Sequence, residues 1–284
     1  MADVKRCLRA CGYSLSKLAF TPKSAVVLAL LFFRMKDYYR NLREFLLDYG
    51  ETINAFGLMS NLIASAQFYL IAGIGLMLIL SDAPFYDQAQ QYVLARARKM
   101  PWLVGQLLCV LAAAGIFLLA LLAMQHLMLW DCLDYGRGWG RAINTLARTS
   151  MTDGYGIDMP FSRDFMRLWS VRRCFALSMA LCWGGYTVCA LVMFNINLVT
   201  RSKAGLLAAI LMLLLDMVMD FGVDARYYVL SVASLGRLPL LNTGNHPYYP
   251  RPALAMSVLW GSFFVNLAAA LGIGRRSELS RGAP

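Results

Sequence analysis

Three aspartates in one apolar stretch have the residue type and spacing for transport chemistry. Asp216, Asp220 and Asp224 repeat every four residues, which places them along one slowly rotating face of a helix. A carboxylate inside a membrane is costly and seldom faces lipid. We expect Asp216 and Asp220 to line a translocation path or bind a cation or proton, and Asp224 to be structural. The alternative for Asp216 is a salt bridge with an arginine such as Arg172, Arg173 or Arg226.

A polar, helix-forming segment, residues 81–106, separates two long apolar runs. Ser81 or Asp82 suits a helix cap, and Pro84 suits a first helical turn. Acidic residues near its start match the positive end of the helix dipole. Basic residues match the negative end, and they are Arg96, Arg98 and Lys99.

One face of this segment is apolar, since Phe85, Ala89, Tyr92 and Val93 recur at helical spacing. Trp102 follows where the chain returns to lipid, as interfacial aromatics do, and we predict that it lies at the membrane interface. The segment therefore predicts a short amphipathic helix through which a soluble partner moves both flanking spans. A solvated connector is the simpler alternative.

No recognised catalytic or metal-binding motif occurs in the chain. The sequence lacks a GxxxxGK[ST] loop, an HExxH pair and a GxSxG turn. Its two histidines, His126 and His246, lie in different segments, and its seven cysteines include no CxxC pair. We therefore expect no metal site, no cofactor and no ATPase activity in this chain, and we interpret the cysteines as small buried residues.

Composition identifies the class of protein. The chain has 284 residues, of which 59% are hydrophobic and 15% charged, and its apolar runs reach the roughly 20 residues that cross a bilayer. The net charge of +11 favours an anionic membrane surface over nucleic acid as a partner. We predict one integral membrane domain, residues 1–284.

The apolar runs predict an all-α polytopic fold with six transmembrane helices. Residues 1–20 form an amphipathic interfacial helix. The first span has only ten uncharged residues, 24–33, before a charged stretch. The other five spans cover about residues 56–80, 101–129, 174–199, 204–223 and 253–273.

Basic residues in the short loops set the orientation. They place both termini and residues 81–100 in the cytoplasm, with residues 131–173 as an external segment. The polar segment is then a cytoplasmic coupling helix between the second and third spans.

The polar segment resembles one in the six-span permease subunits of ABC exporters, the type-2 (ABC-2-like) class. An S-D-A-P-F start, an arginine-rich end and a W-x-x-G-Q entry into the next span carry the resemblance. The matching residues are Ser81, Asp82, Ala83, Pro84, Phe85, Arg96, Arg98, Trp102, Gly105 and Gln106, with similar stretches at 42–45, 139–140 and 145–147.

The resemblance implies a bacterial inner-membrane permease that pairs with a second permease subunit and docks on a separate ATP-binding cassette subunit, which holds ATP and Mg. The docking residues it implies are Asp82, Pro84, Phe85, Tyr92, Arg96 and Arg98. Two other classes stay open. One is an ion-coupled secondary transporter or channel that uses Asp216 and Asp220, and the other is an accessory membrane scaffold without its own path.

Overall fold

A computed structural model describes residues 2–85, 99–220, 224–241 and 248–276. The described part of the chain is mostly helical, and its longer helices form one bundle. The elements in chain order are α1 (Ala2–Ala19), α2 (Pro22–Tyr49), β1 (Ile53–Asn54), α3 (Ala55–Ala64), α4 (Ala66–Leu80), α5 (Lys99–Leu129), β2 (Leu133–Asp134), α6 (Gly140–Arg148), α7 (Met151–Gly154), α8 (Arg163–Leu168), α9 (Val171–Thr200), α10 (Ala204–Asp220), a 3-10 turn (Ala225–Leu230), α11 (Val232–Leu235), a second 3-10 turn (Leu238–Leu240) and α12 (Pro252–Arg276).

Length and composition make three of the described helices, α5, α9 and α12, candidates for crossing a membrane. The bent pairs α1–α2 and α3–α4 raise the number to five if each pair is one span. The helix α10 is apolar but shorter. The all-α prediction is confirmed, whereas six spans are not established.

Two ends of the bundle can be defined by ion pairs between helices. At the near end, Lys23 at the start of α2 pairs with Asp82 just after α4. At the far end, Arg43 of α2 pairs with Asp131 just after α5 at 2.6 Å. The helices α2 and α5 therefore run in the same direction. The strand β2, which follows α5 at the far end, forms a short parallel pairing with β1.

The helix α1 packs against the first half of α5. A Cβ atom at Gly105 would lie 2.7 Å from the Ala10 side chain and 2.8 Å from the Cys7 carbonyl oxygen, so the two helices touch where glycine leaves room. Gln106 donates a hydrogen bond to the Ser14 hydroxyl at 3.0 Å. The amino-terminal segment is thus helical as predicted, and one face of the helix covers α5.

The helix α2 is longer than its uncharged part suggested. It begins with Pro22 in the first turn and ends at Tyr49, and the next residue, Gly50, caps it with a left-handed φ of 60°. One face stays buried along its whole length, from Ser24 to Leu46, while the charged side chains follow the opposite face. The helix therefore continues beyond the ten uncharged residues, 24–33, through the charged stretch.

The predicted second span is broken rather than continuous. The chain bends by 85° between α3 and α4, at Ser65. Ser65 has an extended backbone, and its hydroxyl accepts the Phe68 N–H at 3.5 Å, so it ends one helix and caps the next. This local capping explains why an uninterrupted apolar run does not form one helix.

Candidate functional site

At the near end, the Asp82 carboxylate lies between two lysines. Lys23 of α2 donates to one oxygen at 2.5 Å, and Lys203, in the turn between α9 and α10, donates to the other at 2.7 Å. Partial burial raises the pKa of the Asp82 carboxyl, but hydrogen bonds and charge from Lys203 and Lys23 outweigh this and hold the pKa below its ordinary value. Asp82 is therefore ionised at neutral pH.

Asn197 of α9 connects the same segment to the bundle core. Its side-chain NH₂ donates to the carbonyl oxygens of Ala83 at 2.8 Å and Ser81 at 3.3 Å. Its side-chain oxygen accepts the backbone N–H of Gly205 in α10 at 2.9 Å. Gly205 has no room for a Cβ atom, because that atom would overlap the Met193 carbonyl group. One buried amide thus joins α9, α10 and the chain that leaves α4.

We call this set of contacts the near-end junction, formed by Lys23, Asp82, Asn197, Lys203 and Gly205 around residues 81–85. It ties residues 81–85 directly to α2, α9 and the turn before α10, and Asn197 extends the connection to α10. Of these five residues, only Asp82 was predicted from the sequence to be functional.

Two of the predicted docking residues differ from expectation. Pro84 lies in a turn over residues 81–85, with a cis peptide bond before it, rather than in a first helical turn. Phe85 is buried in the hydrophobic core of the chain itself, so its ring does not face a partner's groove. Apolar residues at helical spacing indicate a buried face, but they do not identify whether the same chain or a partner packs against it. Tyr92, Arg96 and Arg98 lie outside the described residues.

Trp102 is not an interfacial residue, because its exposed fraction is 0%. It lies in the first turn of α5 and belongs to the buried hydrophobic core. Trp130 at the other end of α5 has an exposed fraction of 79% and is the better candidate for the membrane interface.

Asp216 of α10 forms a buried salt bridge, and its partner is Arg237. The Arg237 Nη1 atom lies 3.1 and 3.3 Å from the two carboxylate oxygens. Both side chains are almost fully buried. The three arginines considered from the sequence are not this partner. Arg237 lies in a leucine-rich stretch after α11, and an isolated arginine among leucines was the available signal.

Arg237 also reaches the break between α3 and α4. Its Nη2 atom donates to the Ala64 carbonyl oxygen at 2.9 Å, and Ala64 is the last residue of α3. A helix end leaves carbonyl groups without intrahelical partners and carries partial negative charge. The guanidinium therefore satisfies the end of α3, and Asp216 neutralises the charge of the guanidinium. This arrangement suits a structural role rather than cation binding.

The other two aspartates have different outcomes. Asp224 accepts the Arg226 N–H at 3.1 Å at the start of a 3-10 turn, and the Arg226 side chain lies 3.9 Å away. Its predicted structural role is confirmed. The Asp220 side chain lies outside the described residues. Among the described residues, no three His, Cys, Asp or Glu side chains form a group that would hold a metal ion.

Comparison with known proteins returned no matching family model, no matching curated protein and no matching solved structure. The proposals for this chain therefore depend on its own residues and geometry, and on the resemblance stated above.

Proposed function

We propose that this chain is the membrane-spanning permease subunit of an ATP-driven exporter of the ABC-2-like class, and that it has no ATPase activity of its own. A separate ATP-binding subunit supplies the hydrolysis, and a second permease subunit completes the complex in a bacterial inner membrane, with both termini cytoplasmic. The sequence resemblance of residues 81–106 is the origin of the proposal.

The observation that supports the proposal is the near-end junction. A coupling segment does work only if its displacement reaches the helices, and a solvated connector needs no such attachment. Residues 81–85 are hydrogen-bonded or ion-paired to α2, to α9 and to the turn before α10, and Asn197 of α9 accepts a hydrogen bond from Gly205 of α10. Force applied to the polar segment after Phe85 is thereby passed to three helices and not only to the adjoining α4 and α5.

The residues that dock on the partner differ from the residues that attach the polar segment to the bundle. Asp82 and Phe85 belong to the attachment, because one is ion-paired within the chain and the other is buried. Tyr92, Arg96 and Arg98 remain the candidates for contact with the ATP-binding subunit.

The ion-coupled alternative would need Asp216 as a cation ligand. The buried Arg237 guanidinium already occupies both oxygens of that carboxylate. A cation there would meet a fixed positive charge at close range. This geometry favours the ATP-driven proposal over the ion-coupled one.

The test uses the tagged full chain, purified from native membranes together with any bound ATPase. Asn197→Ala removes the contacts to residues 81–85, while Asn195→Ala, two residues away, removes two contacts to Asn266 of α12 instead. We expect a nucleotide-binding protein to co-purify, and only Asn197→Ala to lower its permease-stimulated ATP hydrolysis. Absence of any ATPase, or equal effects of the two variants, would contradict the proposal.

A further inference from the structure

The exposed face of α2 changes character halfway along the helix. Toward the near end it is apolar, and Val26, Leu30 and Phe33 are all exposed there. Toward the far end the same face is charged. We call its charged residues between positions 34 and 40 the charged face of α2, in which Arg34 is half-buried and Lys36, Asp37 and Arg40 are exposed.

The charged face lies at a level where the neighbouring helix α5 exposes apolar side chains. Two contacts fix the level of α2 against α5, since Tyr39 donates to Gln125 at 3.2 Å and Arg43 pairs with Asp131 at 2.6 Å. At about 1.5 Å per residue, Lys36 lies about 10 Å and Arg34 about 14 Å below Arg43.

Over the same interval α5 exposes leucine to its surroundings. Leu127 and Leu119 have exposed fractions of 72% and 61%, and they lie about 6 and 18 Å below Asp131. Trp130, also exposed, marks the boundary of the apolar layer above them. One side of the bundle thus presents leucine, and another side presents ionised groups, at one depth.

Snorkelling does not account for the charged face. Arg34 bends toward the far end, with its guanidinium 4.7 Å from the centre of the Tyr38 ring. Asp37 is too short to do the same, and it lies about 9 Å below Arg43. Among the described residues, neither Lys36 nor Asp37 has an ion-pair partner in the bundle. Exposed charges at this depth require water.

We propose that the charged face of α2 lines a water-filled cleft that admits a substrate with an anionic head group and an apolar body. Three of its four charges are positive, which attracts anions into a narrow cleft, and the apolar half of the same face continues inward from it. The opposite wall is the second permease subunit, and this inference therefore rests on the proposed function.

The test measures thiol labelling of the full chain in phosphatidylcholine nanodiscs, where both membrane faces are accessible. Cysteine replaces Lys36 or Asp37 on the charged face, and Leu119 or Leu127 on the lipid-facing side as controls. Six native cysteines are buried and one is half-buried, so the unsubstituted chain gives the background. The probes are two membrane-impermeant methanethiosulfonates, one bearing a sulfonate and one a trimethylammonium group.

We expect Lys36→Cys and Asp37→Cys to react about tenfold faster than Leu119→Cys and Leu127→Cys, because only the former face water. At Asp37→Cys the ratio of the labelling rate with the sulfonate reagent to the rate with the trimethylammonium reagent should be about three times the ratio measured with a free thiol. Adding Arg40→Glu should abolish that preference. Equal, slow labelling at all four positions would overturn the cleft. Labelling without the charge preference would overturn the anionic substrate. Fast labelling in a chain that binds no ATPase would support the cleft and contradict only the exporter assignment.

Discussion

At the scale of single residues, the buried pair of Asp216 and Arg237 has the largest energetic consequence. Removing one member of a buried ion pair leaves an uncompensated charge, which costs more than the pair contributes. Here the loss of the guanidinium would also leave the Ala64 carbonyl oxygen at the end of α3 without this donor. The pair therefore stabilises the broken helix and the charge on α10 together.

We expect Arg237→Ala to lower the free energy of unfolding by roughly 3–5 kcal/mol. The matched control is Arg226→Ala, whose partner Asp224 lies 3.9 Å away on the exposed surface, and which should cost less than about 1 kcal/mol. Denaturant unfolding in mild detergent measures both. Equal losses in the two variants would contradict a structural role for the buried pair.

Asp82 predicts a defined pH dependence. Its pKa is lower in the folded chain than in the unfolded one, despite the opposing effect of burial. Its contribution to stability is therefore fully present above the ordinary carboxyl pKa of about 3.9, and it is lost as pH falls through the lowered folded value.

The thermal midpoint of the wild-type chain should exceed that of Asp82→Asn at neutral pH, and the gap should close below about pH 4. Thermal unfolding in detergent across this range measures it. A gap that stays constant with pH would show that the variant acts through packing and not through the loss of charge.

The sequence pattern did not predict the partners of the aspartates. Four-residue spacing placed Asp216, Asp220 and Asp224 on one face, but Arg237 reaches Asp216 from a segment 21 residues away. Lys23 and Lys203 likewise meet at Asp82 from distant parts of the chain. Such pairings depend on tertiary packing, which local patterns do not contain.

At the scale of elements, the contact of α1 with α5 depends on a small residue at the crossing. The amphipathic pattern of α1 was visible in the sequence, whereas its placement was not, because lipid and a helix surface both accept an apolar face. Gly105 was the available signal, since it lies where a Cβ atom would meet backbone and side-chain atoms of α1.

We expect Gly105→Ala to destabilise the chain by about 1–3 kcal/mol through overpacking. Gly12→Ala on α1 is the matched control, because nothing lies within 4 Å of its added methyl group, and removing a helical glycine should stabilise by about 0.5–1 kcal/mol. Protease protection of the first 20 residues should fall only in the first variant. Equal protection in both would contradict the close crossing of α1 and α5.

The break between α3 and α4 was not predictable from hydropathy. Residues 56–80 form a nearly uniform apolar run, and hydropathy does not register the extended backbone of Ser65. The long α2 shows the converse case, because its charged half remains helical where hydropathy alone ends the span.

At the scale of the whole molecule, the chain joins an apolar bundle to two polar features at opposite ends. The near-end junction connects residues 81–85 to three helices, and the charged face of α2 extends toward the far end. The proposed exporter uses both, because a displacement of residues 81–85 at the near end must change the substrate path that opens toward the far end.

The most direct test of the central claim places a photo-cross-linking amino acid at position 92 of the full chain in living cells. We expect a covalent adduct with a nucleotide-binding protein, and no reaction of Tyr92→Cys with an impermeant thiol reagent added outside the cell. Labelling of position 92 from outside, with no such adduct, would contradict the claim that an ATPase acts on this segment.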